Sequence, residues 1–97
     1  MFRHVVLFTW KPEATDAEKV ALAEQLRKLP GVISTIRGYH LGPDVRVNTG
    51  NADFAVVAEF DDEAGYLVYR DDPEHRRIIT ECLRPIMASR AAVQFES

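Results

Sequence analysis

The sequence predicts an α+β fold in the order βαββαβ, and three observations carry that expectation. The chain opens on a run from Phe2 to Trp10 that is β-branched and aromatic, with apolar residues on both alternating sides, as in a strand covered on both faces. A second run, Asp53 to Phe60, alternates in the same way. Amphipathic stretches follow each of them, opened by capping residues and closed at proline.

Strand 1 places Phe2, His4, Val6, Phe8 and Trp10 on one side, and Arg3, Val5, Leu7 and Thr9 on the other, before Lys11-Pro12 stops it. Thr15 and Glu18 have capping-box spacing, in which each side chain satisfies a free amide of the first helical turn. Helix 1 is expected to run to about Leu29, with Leu22, Leu26 and Leu29 inward, and to end at Pro30-Gly31. Strand 2 is expected over Val32 to Leu41, with Gly38 marking a bulge or a close backbone approach. Gly42 to Asn51 collects turn formers and reads as a long loop. Strand 3 then directs Phe54, Val56, Ala58 and Phe60 to one side, and Ala55 and Val57 to the other.

Asp61-Asp62 caps helix 2, which should carry Ala64, Leu67 and Val68 inward with Tyr66 and Tyr69 alongside, and should stop before Pro73. A further helix begins with Asp72 as cap and Pro73 in the first position. Its apolar stripe runs through His75, Ile78, Ile79, Cys82, Leu83 and Ile86, while Arg76, Arg77, Glu81 and Arg84 face away. Pro85 closes or kinks this helix, and Arg90 to Glu96 alternates as strand 4.

Composition narrows the function classes. At 97 residues, with 46% hydrophobic and 28% charged, the chain fits one domain, residues 1–97, and lies far from disordered sequences. A formal charge of −3 gives no overall drive toward nucleic acid or an anionic membrane. No apolar run is long enough to span a bilayer. The lone Cys82 and an opening without a charged and then apolar leader point to the cytoplasm. His4, His40 and His75 lack zinc-site spacing, and no phosphate loop or nucleophile elbow is present, so neither a metal nor a cofactor is expected. Arginines 76, 77, 84 and 90 read as solvated helix surface.

Right-handed crossovers put the helices of such a chain on one face of a four-stranded antiparallel sheet, as in ferredoxin-like folds. Val5, Leu7, Ala55 and Val57 then point at the other face, an apolar patch that a monomer would leave wet. A second copy related by a two-fold axis covers it most simply, giving a homodimer through the sheet face. Helices that wrap further around a monomer are the alternative.

His75 is the most informative polar residue, because it lies on the apolar stripe of its helix and its ordinary pKa is near neutrality. It is a candidate general acid or base, set against the plainer reading of a satisfied core or helix-start histidine. Tyr69 precedes it across the Asp71-Asp72-Pro73 corner, where its hydroxyl is expected to meet the imidazole; a core tyrosine with a wet hydroxyl is the plainer reading. His4 shares its strand face with Val6 and Phe8 and adds a third polar group to the same interior.

Three segments carry a family resemblance: His4-Val-Val-Leu-Phe8, Leu29-Pro-Gly-Val32, and Phe60-Asp-Asp-Glu-Ala64 continuing to Tyr69-Arg-Asp-Asp-Pro-Glu-His75. Across nearly its whole length the chain resembles the Dabb family of stress-responsive dimeric α+β barrels. The resemblance implies a ferredoxin-like subunit whose sheet packs face to face with that of its partner. The family includes a plant polyketide cyclase that closes olivetolic acid by an aldol-type condensation without a cofactor. In it a Tyr and a His matching Tyr69 and His75 carry the acid/base work, and a His matching His4 lines the pocket. Phe54 stands where that pocket has a further His, and Asp72 where the cyclase has a His before the Pro. The expectation is a small hydrophobic or aromatic ligand pocket lined by His4, Val6, Phe8 and Phe54, with Tyr69 and His75 as catalytic candidates. The alternatives are a cofactor-independent acid/base enzyme of the cyclase kind and a structural dimer filled by its own side chains. Antibiotic-biosynthesis monooxygenases share the barrel, but no motif selects them. A hollow interior separates a binding or catalytic protein from a structural one.

Overall fold

In a computed structural model describing residues 1–97, β1 (Phe2–Trp10) lies between two antiparallel neighbours, β3 (Phe54–Phe60) and β4 (Met87–Glu96). A fourth strand, β2 (Gly38–Pro43), pairs with β3, so the sheet order is β2-β3-β1-β4. This is the expected ferredoxin-like α+β arrangement. The register sets Val6 beside Val56 and Phe8 beside Phe54, so that with Phe2, His4, Ala58 and Phe60 they form one buried layer.

Helix α1 (Asp16–Arg27) lays Leu22, Ala23 and Leu26 on the core. Its capping box is formed as expected: the Glu18 amide donates to the Thr15 hydroxyl at 3.2 Å, and the Thr15 amide donates to the Glu18 carboxylate at 2.9 Å. The helix ends before Leu29, which is buried in a short 3₁₀ turn, Leu29–Gly31. Strand β2 departs from expectation, because Val32–Arg37 is not strand. There the chain keeps turning, with the Ile33 amide donating to the Leu29 carbonyl at 2.8 Å, and Ile33 is buried in the same core cluster as α1's leucines rather than entering the ladder. Gly38 opens β2 opposite Glu59 in regular register, so neither the bulge nor the close backbone approach expected there is found; what comes near it is the end of the Glu59 side chain. Gly42 and Pro43 belong to the strand and not to the loop, which proline permits because β2 is an edge strand.

Helix α2 (Glu63–Asp71) is capped by Asp62, whose carboxylate accepts from the Gly65 amide at 2.9 Å. Its inward face is set by Tyr66 and Tyr69, three residues apart, and only Tyr69 is fully buried. Ala64 and Val68, expected inward, lie on the opposite side of the helix and are exposed. Asp72 starts α3 (Pro73–Ile78), accepting from the Glu74 and His75 amides at 2.9 and 3.0 Å.

The continuous helix expected up to Pro85 is interrupted by a π turn, Ile79–Leu83, in which the Arg84 amide donates to the Ile79 carbonyl at 2.9 Å. Five residues of α-helix would turn Leu83 about 140° away from Ile78. The wider turn brings both onto the buried face, leaving Ile79 and Cys82 half-buried.

Strand β4 starts at Met87, earlier than expected. Its register with β1 sets Val93 beside Val5, Ala91 beside Leu7 and Phe95 beside Arg3. The sheet face away from the helices therefore carries the expected apolar patch, enlarged by β4, with Leu7, Val93 and Phe95 all exposed. No helix is long and apolar enough to cross a membrane.

Candidate functional site

The helices cover β1 and β3 but leave the inward side of β4 exposed. Under that gap lies a cavity of about 450 Å³. Its sheet side is built from His4, Val6 and Phe8, α2 contributes Tyr66 and Tyr69, and α3 contributes His75. Five of the six residues expected at the site thus meet in one place. Phe54 does not: it is buried in the core against Trp10, with ring centres 5.6 Å apart, outside the cavity wall. The alternation that gave Phe54 the right face of β3 leaves it at the strand's far end, where aromatic packing encloses it.

His4 is held by Gln94, opposite it on β4, whose side-chain nitrogen lies 2.8 Å from Nδ1. With the amide donating, Nδ1 is the acceptor and Nε2 carries the proton. Burial, followed by the charges of Arg90 and His75, lowers the His4 pKa to about 4, so the ring is neutral at pH 7. The ring also packs on Tyr66, centre to centre 4.9 Å.

His75 stacks on the Tyr69 ring with centres 4.0 Å apart and planes at 30°. Its Nδ1 is 3.4 Å from the Arg70 carbonyl, where a proton on Nδ1 is donated to the oxygen and Nε2 keeps a free lone pair. Burial lowers the His75 pKa, opposed by that carbonyl and by the Asp72 carboxylate. The expected bond from the Tyr69 hydroxyl to this imidazole is absent. The hydroxyl instead points toward β2 and pairs with the Tyr39 hydroxyl at 3.0 Å, so Tyr69 meets His75 through its ring face. Burial raises the Tyr69 pKa well above its ordinary value and pushes Tyr39 up to about 12, so both phenols stay protonated.

Sequence reasoning missed Tyr39, Gln94 and the wall position of Tyr66. Gln94 could have been found by pairing β4 with β1, since that register sets it beside His4. It also missed that Arg70, Arg76, Arg84 and Arg90 border the cavity. Together the two histidines offer complementary chemistry, a neutral N–H donor on His4 and a basic nitrogen on His75, at the edge of an apolar space. No three His, Cys, Asp or Glu side chains gather in a way that could hold a metal ion.

A ferredoxin-like sheet with one apolar face open and a cavity beneath its helices defines the class: a subunit of the α+β barrel type. The chain belongs to the Dabb family, since the model of the stress responsive A/B barrel domain matches residues 2–97. A dimeric ferredoxin-like protein of unknown function from Thermobifida fusca is 38% identical, with a TM-score of 0.91 over 99% of this chain and 90% of that one. A dimeric protein of unknown function from Bacteroides fragilis is 30% identical, with a TM-score of 0.82 over 99% and 95% of the two chains. A hydroxynitrile lyase from Passiflora edulis shares the fold, with a TM-score of 0.84 at 14% identity over 97% of this chain and 90% of that one. No curated protein matches the chain.

Proposed function

We propose that this protein is a homodimeric binding module, joined through the open sheet face, in which each subunit holds a small hydrophobic or aromatic ligand between its sheet and helices. The observation that carries this reading is the cavity of about 450 Å³, within the range of small-molecule sites. Its apolar lining from Val6, Phe8 and Met87 is interrupted by a few polar groups that would orient a ligand. A structural dimer filled by its own side chains would have no such space. Titration with the neutral fluorophore N-phenyl-1-naphthylamine tests the proposal. Saturable binding to wild type and its loss in Val6→Trp, which fills the space, are expected; equal binding by both would refute it.

The two histidines favour a second reading, acid/base catalysis without a cofactor. His75 Nε2 would take a proton from an acidic C–H beside a carbonyl, and the carbonyl oxygen would be polarised by donors on the wall. Tyr69 is committed to Tyr39, so His4 Nε2–H and the Tyr66 hydroxyl supply those donors. An aldol-type closure of the polyketide cyclase kind begins with that proton transfer. Deuterium exchange into the central methylene of a 1,3-diketone, followed by NMR, should slow by roughly 10²- to 10⁴-fold in His75→Ala. Exchange equal to wild type would remove His75 from any catalytic role.

A further inference from the structure

Four arginines border the cavity and no acidic side chain does. In a chain with 15 Asp and Glu against 12 Lys and Arg, that is a local reversal of charge. Arg70 is neutralised by a two-pronged pair with Asp71, at 2.9 and 3.1 Å. The neighbouring Arg77 is spent on Glu74 and Glu81. Arg76, Arg84 and Arg90 make no ion pair with any carboxylate. They come from three different places, α3, the residue just past the π turn, and β4, yet converge on one opening. Arg90 sits beside Phe8, a cavity-wall residue, in the β1–β4 register, and is close enough to His4 to help lower its pKa.

From this convergence we infer that the ligand is an organic anion: an apolar, aromatic-sized body seated on Val6, Phe8 and Met87, with a carboxylate or equivalent oxyanion held by Arg76, Arg84 and Arg90. Guanidinium forks match such oxyanions in plane and can bind them through paired hydrogen bonds. The neutral His4 N–H and the Tyr66 hydroxyl, whose oxygen accepts from the Gln94 side chain at 3.4 Å, can both donate to the anion. Unpaired guanidinium groups at the mouth also raise the local concentration of anions, so the same residues select and attract.

The inference rests on the binding role proposed above, and the test separates the two. The probes are 8-anilinonaphthalene-1-sulfonate and N-phenyl-1-naphthylamine, which share an aromatic body and differ by one sulfonate. Wild type should bind the sulfonate at least about tenfold more tightly, from the strength of charge-assisted bonds. The preference should shrink with rising salt. Arg84→Gln and Arg90→Gln should each lower sulfonate affinity about five- to tenfold, and Arg76→Gln/Arg84→Gln/Arg90→Gln should bind the two probes alike. 2-Naphthoate should displace the sulfonate at concentrations where inorganic phosphate does not. Equal affinity for both probes in wild type, or displacement by phosphate as effective as by naphthoate, would overturn the organic-anion assignment and leave the cavity role intact. Failure of both probes to bind would overturn both.

Discussion

Acid should destabilise this fold through His4 before it reaches the carboxylates, and the size of the effect follows from the ring's surroundings. His4 is 6% exposed, and its pKa is about 4 in the fold against an ordinary 6.5. Between those values the unfolded chain binds more protons than the folded one, so stability falls as pH falls; the loss begins near 6.5 and is complete below about 4. Integration gives a loss of about 2 kcal/mol by about pH 5, approaching about 3 kcal/mol at the acid end. His75 is shifted the same way and adds to the slope. Asp53 and Glu18 are held below their ordinary values of 3.8 and 4.5, so their contribution is lost at lower pH. Urea unfolding across the pH range, at one fixed protein concentration and followed by circular dichroism, reads the slope directly. His4→Asn is the comparison, because its side-chain oxygen can still accept from Gln94 but does not titrate. The variant should have a markedly flatter profile between pH 4 and 6.5. Parallel profiles for the two proteins would refute the claim that His4 is held neutral by the fold.

Two further outcomes test the sheet face and the tyrosine pair. Leu7→Asp puts a charge in the middle of the open apolar face and should dissociate or unfold the dimer, because an unpaired buried charge costs several kcal/mol. Light scattering should show wild type near twice the 11.0 kDa chain mass, and a variant retaining that mass and the wild-type melting midpoint would place the interface elsewhere. Tyr39→Phe leaves the buried Tyr69 hydroxyl without its partner and should cost about 1 to 3 kcal/mol in chemical unfolding. Tyr39→Phe/Tyr69→Phe should recover part of that loss, and full additivity of the two single changes would argue against the pair.

Where local chemistry and tertiary packing agree, the structure was legible in the sequence. The alternation of Phe2 to Trp10, the Thr15–Glu18 box, and the Asp72-Pro73 start of α3 each specify their own element, and all three are found. Segments that serve a distant surface were not legible. Val32 to Arg37 has strand-like residues, but Ile33 is buried in the same core as α1's leucines, and the ladder starts only at Gly38, opposite Glu59. Val68 is hydrophobic and still lies outward, because the two tyrosines on the other side of α2 bury more surface. For the site, His4, Tyr69 and His75 were visible through patterning and family resemblance, and they do share one cavity. Their hydrogen-bond partners were less so, since Gln94 comes into view only once β4 is paired with β1 in register, and Tyr39 only once β2 and α2 are brought together by the packed fold.

The π turn between Ile78 and Leu83 has one more residue than the helix needs. Shortened by one, the segment would be an unbroken α-helix with the same two side chains stacked four apart on the same buried face. The same turn builds the cavity: Ile79, Thr80 and Leu83 all form part of its wall, and Arg84 follows directly. A one-residue change of length in this turn therefore falls on the cavity wall rather than on the strands that frame it.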